Sequence, residues 1–574
     1  MIHKILHNYF IQISIGTYIV SLLIVAFDSS LKFQWIAFGF HILSLLLVLF
    51  VYYYSFLKSK IIFSGKELLP LCLIIPITIT ANFLFLQIYP YISIADELRD
   101  GGLNVVQILT GKLNIFAYGS YNAHGLIIPA LITPFYYLFG NSILLYRFPA
   151  ALLSTVDVVL LYLLIRIVLT RTVAFWSALI LATLPLHMFF AHTQIVIAFT
   201  FFWVPIILLA LFIVLQKHRV NDYILFGILM GFACEFHATI RAFCMLVFLI
   251  FLFLEMKKFT VKHDFLKGSK NLILVILFFF VGFGPQLFFT TPQIFFHTSR
   301  FAYENTIENS RPLTLQDIVA IKDNYVKSLM MYTSEPIAFY YPDEKPLFTP
   351  LLALFFLLGM GYALFVLRNT FLNVLFAIVI ILPFFTSAIT DSVNADYRAS
   401  PLFAVASIFA ALGVSYLLSL VKWKPGKIIL SLGLLFYLSM QVVMFYTLDP
   451  ANKLTTLRGF LITHTDYFLH DTYYAKLSSR NIPTKLCIAA SPYNYSFYQN
   501  NYALKEQQQF LLPGIMFYYM ENNTIKNNEV YIMKNDCSNV DLFVSSTSLQ
   551  TISCLHTNNF VCPPDYTGTM LLHY

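Results

Sequence analysis

Charge is what this sequence has least of. Only 11% of its 574 residues are Asp, Glu, Lys or Arg while 59% are hydrophobic, against roughly 25% charge in a soluble domain. A soluble globular chain is thereby excluded. Several chemical signatures are missing as well: no phosphate-cradling Walker loop, no dinucleotide fingerprint, no His-Glu-x-x-His and no Cys-x-x-Cys. Low-complexity tracts, long linkers and evident internal repeats are absent too. The net charge of +8 would admit a nucleic-acid partner. The Lys and Arg residues, however, are scattered through short loops between apolar runs rather than gathered on one face, which is how orientation signals look, and no nucleic acid is expected.

What the chain does have is apolar runs of bilayer length. A crossing takes about 20 helical residues, and backbone groups in lipid must pair within their own segment, so the runs must be helices. Spans are expected near 9–27, 34–56, 68–88, 147–169, 172–190, 195–215, 222–240, 243–256, 271–290, 348–367, 371–389, 399–421 and 428–447, an all-α polytopic membrane protein of about 13 helices. The eighth run is short and reads as the kinked partner of the seventh. The N-terminus MIHKILHNYF has one Lys and no small-residue cleavage site, the mark of a retained first helix.

With Lys4 on the cytoplasmic side, the alternate loops should be basic. They are: Lys58, Lys60 and Lys66; Arg166 and Arg171; Lys217 and Arg219; Lys257, Lys258, Lys262, Lys267 and Lys270; Arg368; and Lys422, Lys424 and Lys427. The composition, rich in Lys, Asn and Ile, points to a bacterial inner membrane. Residues 1–67 read as an additional N-terminal hairpin and 68–447 as the membrane region with long outer loops 89–146 and 291–347. Residues 448–574 read as a periplasmic soluble domain of α/β or α+β type. Cys487, Cys537, Cys554 and Cys562 lie there, and in an exported domain they would make two disulfides in one of three pairings, or stay as free thiols. Cys72, Cys234 and Cys244 fall within helices, where packing explains them.

The informative stretch is YISIADELRDGG, residues 91–102, which sets Asp96, Glu97, Arg99 and Asp100 just past the third span. Carboxylates at a helix end can simply mark the water interface. Here they are followed by 97–112, which reads as a short amphipathic helix, and by GLIIPALITPFYYLFG, too short and Pro-interrupted to cross; both suit helices lying in the interface plane. The Asp-Glu-x-Arg, the Leu-Ile-Ile-Pro and Phe-Gly element, and then LLYRFPAALLSTVDVVLLYLL with Arg147, Pro149 and Ala150 together resemble the GT-C class of membrane glycosyltransferases. The likeness is to the family 39 group of protein O-mannosyltransferases and lipid A aminoarabinose transferases. It is best from Asp96 to Leu215, weaker to residue 421 and absent in the tail.

That resemblance implies a sugar donor on a polyprenyl phosphate and a lipid, glycan or protein acceptor. It also implies Asp96 as general base, Glu97 beside it in a supporting role, and Arg99 as a phosphate or acid partner. Base catalysis of this kind contributes about 10²–10⁴, and cations aimed at the leaving phosphate stabilise the charge that gathers there. No cofactor is implied with certainty; a divalent metal, if one is used, would fall to Asp96 and Glu97. Where aminoarabinose-type relatives carry Glu-Lys-Pro-Pro, this chain has Tyr121-Asn122-Ala123-His124-Gly125, which removes an acid and leaves His124 as the phosphate contact in place of the Lys.

His237 and Arg241, four apart on one helix face, are the next phosphate candidates; snorkelling to the interface is the bland alternative. Arg398, in the short outer loop before Pro401, is the last. Asp157 in mid-span should face the bundle, since a charge at a helix centre costs about 2.5–3.5 kcal/mol, and a helix-to-helix hydrogen bond is its expected use. His187 and His192 read as cavity liners, and Leu315–Tyr332 as an amphipathic helix of a lid. A transporter or flippase of lipid-linked sugars, or a non-catalytic scaffold, are the rival functions.

Overall fold

Apolar runs of this length have one way to pair their backbone groups away from water, and the chain takes it. The computed structural model describes residues 2–28, 31–60, 65–86, 104–109, 111, 113–119, 124–139, 143–193, 196–262, 265–296, 314–337, 341, 345–390 and 393–447, and three strand segments of the tail. The first part comprises α1 (Ile2–Phe27), α2 (Gln34–Lys60), α3 (Gly65–Phe83), α4 (Asn104–Leu109), α5 (Ile127–Phe139) and α6 (Ile143–Val168). Then come α7 (Arg171–Ala182), α8 (Pro185–Ala191), α9 (Trp203–Lys217), α10 (Val220–Cys234), α11 (Ala238–Lys262), α12 (Phe265–Phe283) and α13 (Pro292–Phe296). Last are α14 (Leu315–Met330), α15 (Pro350–Tyr362), α16 (Thr370–Pro383), α17 (Asp396–Ala399), α18 (Leu402–Leu420) and α19 (Lys424–Thr447).

Among the described residues eight helices are long and apolar enough to cross a membrane, nine if the bent pair α7 and α8 is one span. The described parts of α1, α2 and α3, with α5 and α10, are shorter apolar helices. Two boundaries differ from the sequence-based expectation. The seventh run stops at Cys234, and the eighth is no short kinked remnant but a helix of 25 residues. Glu235, Phe236 and His237 form the break between them: the Glu235 side chain turns to His41 on α2, and that of His237 turns forward to cap α11 at Thr239. The expected fifth span breaks as well, at Thr183 and Leu184 ahead of Pro185, with a bend of 61°. Proline at the first position of a helix has no amide hydrogen to lose, so a new helix starts there at no hydrogen-bond cost.

Two helix pairs set the packing. A Cβ on Gly231 would strike the Phe279 carbonyl, and one on Gly282 the Ile228 carbonyl, so α10 and α12 pack backbone to backbone. Gly359 and Gly413 do the same for α15 and α18. Small residues at such crossings are how membrane helices gain close van der Waals contact where hydrophobicity gives no driving force.

The N-terminal hairpin is not a loose addition. Ser14 and Ser44 bond across α1 and α2, Tyr18 donates to the Phe280 carbonyl of α12 (2.9 Å), and Gln34 accepts the Ile115 amide (3.0 Å). In the tail, β1 (Leu486–Ala489) pairs in parallel with β2 (Val530–Met533) on one side and β3 (Leu542–Ser545) on the other. Cys537, Cys554 and Cys562, like the side chain of Cys487 in β1, lie outside the described residues, and so does the disulfide expectation.

Candidate functional site

The break between α10 and α11 is where distant parts of the chain meet. Glu235 is fully buried, with its Oε2 3.1 Å from Nε2 of His41 on α2, a residue 194 positions earlier. Gly125 donates its amide to the carbonyls of Glu235 (3.2 Å) and Phe236 (3.3 Å). This contact admits no side chain, since a Cβ there would run into the Gln286 amide and the Glu235 carbonyl. Gly284, in the left-handed region at φ 59°, closes the opposite side against His41 and Glu235. Four polar atoms enclosed here have no hydrogen-bond partner among the described residues: Nδ1 of His41, Oε1 of Glu235, and both side-chain heteroatoms of Gln286.

His124 is drawn in by two short bridges, Tyr118 with Gly125 and His124 itself with His237, and its carbonyl accepts the Gly119 amide (3.0 Å). His237 is no member of the helix face that the four-residue spacing suggested. It precedes α11, and its Nδ1 accepts the Thr239 amide (3.2 Å) and meets the Thr239 hydroxyl (2.8 Å), so it caps the helix. Such a cap satisfies one of the amides a helix start leaves open.

Arg241 lies in the first turn of α11, 2% exposed. It donates Nε to the Cys234 carbonyl (2.8 Å) and Nη1 to the Ile294 carbonyl (3.1 Å), while Nη2 has no partner among the described residues. Its guanidinium sits over the Tyr118 ring, 5.0 Å from the centroid, a cation–π contact. The Tyr118 hydroxyl is 2.8 Å from that of Thr290. Burial pushes the Tyr118 phenol up, with Arg241 pulling it back. Burial also raises the Glu235 carboxyl, in the break outside both helices, to about 7 against the opposing pull of His41.

Arg398 joins this end through an aromatic relay. The His237 ring stands edge-on to Tyr397 (6.5 Å), whose own ring lies under the Arg398 guanidinium (5.1 Å). Buried Asp396 holds the turn by accepting the amides of Tyr341 and Tyr397, both at 2.6 Å. The helix expected at Leu315–Tyr332 is α14, anchored to the end of α16 by Tyr325 on the Ile380 carbonyl (2.9 Å) and Tyr332 on that of Val379 (3.0 Å).

The structure therefore brings together His124, His237 and Arg241, with Arg398 one aromatic layer away. Asp96, Glu97 and Arg99 lie outside the described residues. Ahead of them, Arg147 donates to the Leu86 carbonyl (3.2 Å), and His192 bonds that of Leu84 (3.0 Å). His192 and His187 are packing residues rather than cavity liners. The first also meets the Tyr446 hydroxyl (3.0 Å), and the second faces Asp157 at 3.4 Å in mid-bundle, the partner that Asp157 required. Among the described residues no three His, Cys, Asp or Glu side chains converge as metal ligands; His41 and Glu235 face each other instead.

Sequence reasoning missed His41, Tyr118 and Gln286. His41 belongs to a hairpin that reads as separate, and a lone His in an apolar run carries no signal of its partner. Glu235 stands two residues before His237 in the sequence, and nothing local points to its partner on α2.

Residues 123–285 match the family model of dolichyl-phosphate-mannose-protein mannosyltransferases. The family resemblance is borne out. The match begins at the His124 turn and ends at Pro285, beside Gln286, so it takes in His124, Glu235, His237 and Arg241. No curated protein sequence matches the chain. Among solved structures, similarity extends to the archaeal oligosaccharyltransferase AglB of Archaeoglobus fulgidus, in complex with an inhibitory peptide and a dolichol-phosphate. The TM-score is 0.44 and the identity 13%, over 80% of this chain and 64% of that one. It extends also to ArnT of Cupriavidus metallidurans bound to undecaprenyl phosphate, with a TM-score of 0.38 and 12% identity, over 80% of this chain and 75% of that one. Another structure of the Archaeoglobus protein is a complex with Zn and sulfate. The chain thus spans under two thirds of the oligosaccharyltransferase's length.

Proposed function

We propose that the protein is a glycosyltransferase of the GT-C class, moving a sugar from a polyprenyl-phosphate donor to a lipid, glycan or protein acceptor at the outer face of the membrane. The observation that carries the reading is the convergence of His124, His237 and Arg241 at one membrane end, inside the stretch that matches the mannosyltransferase family. Arg241 has the right chemistry for a leaving phosphate: a buried, pre-oriented guanidinium with one unpartnered nitrogen, which stabilises developing charge without reorganisation. His124, His237 and Arg398 would bind the phosphate or sugar around it.

Asp96 would be the base that takes the acceptor's proton, with Glu97 beside it and Arg99 as its cationic partner. The hairpin of α1 and α2 then has a task, because His41 holds Glu235, and the Glu235 carbonyl holds Gly125 next to His124. A divalent metal, if one is used, would fall to Asp96 and Glu97. The distribution of the basic loops supports an orientation with this end outside and the C-terminal domain on the same side.

Replacing Asp96 with Asn and Arg241 with Gln tests the proposal in membranes supplied with polyprenyl-phosphate sugars. Both variants should fold, keep donor lipid bound in the case of Asp96→Asn, and lose transfer. Unimpaired transfer in both would end the reading.

Transport of a lipid-linked sugar is the second reading, favoured by one feature: the buried Asp157–His187 pair beside the broken span α7–α8. Ionisable pairs and discontinuous helices in mid-membrane are what transporters use.

A further inference from the structure

At the opposite membrane end from the Arg241 site lies a cavity of about 780 Å³ between the ends of α6, α9 and α16. Its position follows from the chain: α9 ends at Lys217, His218 and Arg219 turn it, and α10 then runs to the Glu235 break. Eight of its thirteen lining residues are apolar, Phe212 and Phe371 meeting edge to face at 5.6 Å. Its rim carries Lys217 and Arg368 with the amides and hydroxyl of Gln216, Asn369 and Thr370, and no acid lines it.

The acids at the His218–Arg219 turn are committed elsewhere. Asp222 holds Arg219 through two contacts of 2.9 Å, and Glu255 accepts from Tyr223 (3.3 Å) and stands 3.7 Å from His218. Arg368 is exposed and fixed by its backbone, which adopts a left-handed φ of 46° as its amide closes on the Ala363 carbonyl (3.0 Å). Phe365 and Val366, 75% and 63% exposed, precede it on the lipid-facing surface.

We propose that this cavity is a binding site for an anionic phospholipid, its phosphate between Lys217 and Arg368 and the upper part of a chain against Phe212, Phe371 and Val374. The volume is that of a ligand pocket rather than of a single ion. Basic pockets between helices at a membrane face collect anionic headgroups by charge, and the apolar floor supplies what a free phosphate could not use. In the orientation given by the basic loops this is the cytoplasmic leaflet.

Native mass spectrometry of the full chain, equilibrated with phosphatidylglycerol or phosphatidylcholine, reads the site without any turnover assay, so it stands or falls apart from the transferase reading. Phosphatidylglycerol should be retained selectively. The double variant Lys217→Ser/Arg368→Ser should lower its affinity roughly thirtyfold; Val374→Phe, which narrows the floor and keeps both cations, should also lower it. Equal retention of the two lipids, or undiminished retention in both variants, would overturn the proposal. So would displacement by glycerol 1-phosphate as readily as by the lipid, which would assign the cavity to a soluble phosphate.

Discussion

Two buried histidine–carboxylate pairs sit in this molecule, and they do different things. His187 and Asp157 meet at 3.4 Å in the bundle, between α8 and α6, only 30 positions apart in the chain. Beyond them lies apolar packing, the His187 ring resting on Phe201 at 5.4 Å. His41 and Glu235 meet at 3.1 Å but join segments 194 residues apart, and from Glu235 the bonding continues through Gly125 to the histidines and to the Tyr118 hairpin under Arg241. A buried pair with nothing behind it joins helices; a buried pair with a polar chain behind it positions a site.

The comparison breaks most sharply on activity. Arg241→Gln should lower sugar transfer by about 10²–10³, the scale of losing one pre-oriented donor to developing charge, whereas Asp157→Asn should stay within about tenfold of the parent, since it keeps a hydrogen-bonding group at the same place. Transfer rates in membrane preparations normalised to folded protein decide it; the reverse order would favour transport.

Stability separates the pairs next. Removing one partner alone, by Asp157→Ala or Glu235→Ala, should cost about 3–5 kcal/mol, because the other is left uncompensated. Replacing both partners with apolar residues often restores a buried pair's contribution, so Asp157→Leu/His187→Phe should recover both stability and transfer. His41→Phe/Glu235→Leu should recover stability alone. Detergent unfolding curves measured alongside transfer would show whether only the second pair has a functional tail.

A smaller effect is expected at Gly125. Its Ala variant must push aside the Gln286 amide and the Glu235 carbonyl, an overpacking cost of about 1–3 kcal/mol, with loss of transfer beyond what stability explains. The smallest is a pH slope. The Glu235 carboxyl is raised to about 7 in the folded chain, so its protonated form is favoured there. Its contribution is full below the ordinary carboxyl range and is lost as pH rises through about 7. Melting temperatures between pH 5 and 8 should fall more for the parent than for Glu235→Gln; parallel curves would remove Glu235 from the account.

Much of the bundle was legible before any coordinates. Run length and the absence of charge located the helices, and the cost of an ionisable group at mid-span required a partner for Asp157, which proved to be His187. The amphipathic spacing over Leu315–Tyr332 gave α14 almost to the residue. Helix breaks were harder. The seventh and eighth runs read as one long and one short span because apolarity continues across Phe236; the break sits where Glu235 finds its partner on α2, and a hydropathy profile does not contain that partner. His41 was hidden for the same reason.

By itself the sequence determined that the chain lies in a membrane, where most of its helices run, which loops carry the positive charge, and which known family residues 123–285 resemble. Each of these depends on local composition or on motifs within one segment. The tertiary structure alone decided that α1 and α2 belong to the site, that Arg241 lies over Tyr118, and that one of two similar histidine–carboxylate pairs leads anywhere. Those are contacts between residues tens to hundreds of positions apart, and their geometry is set by how closely glycine-lined helices pack, which no single segment encodes.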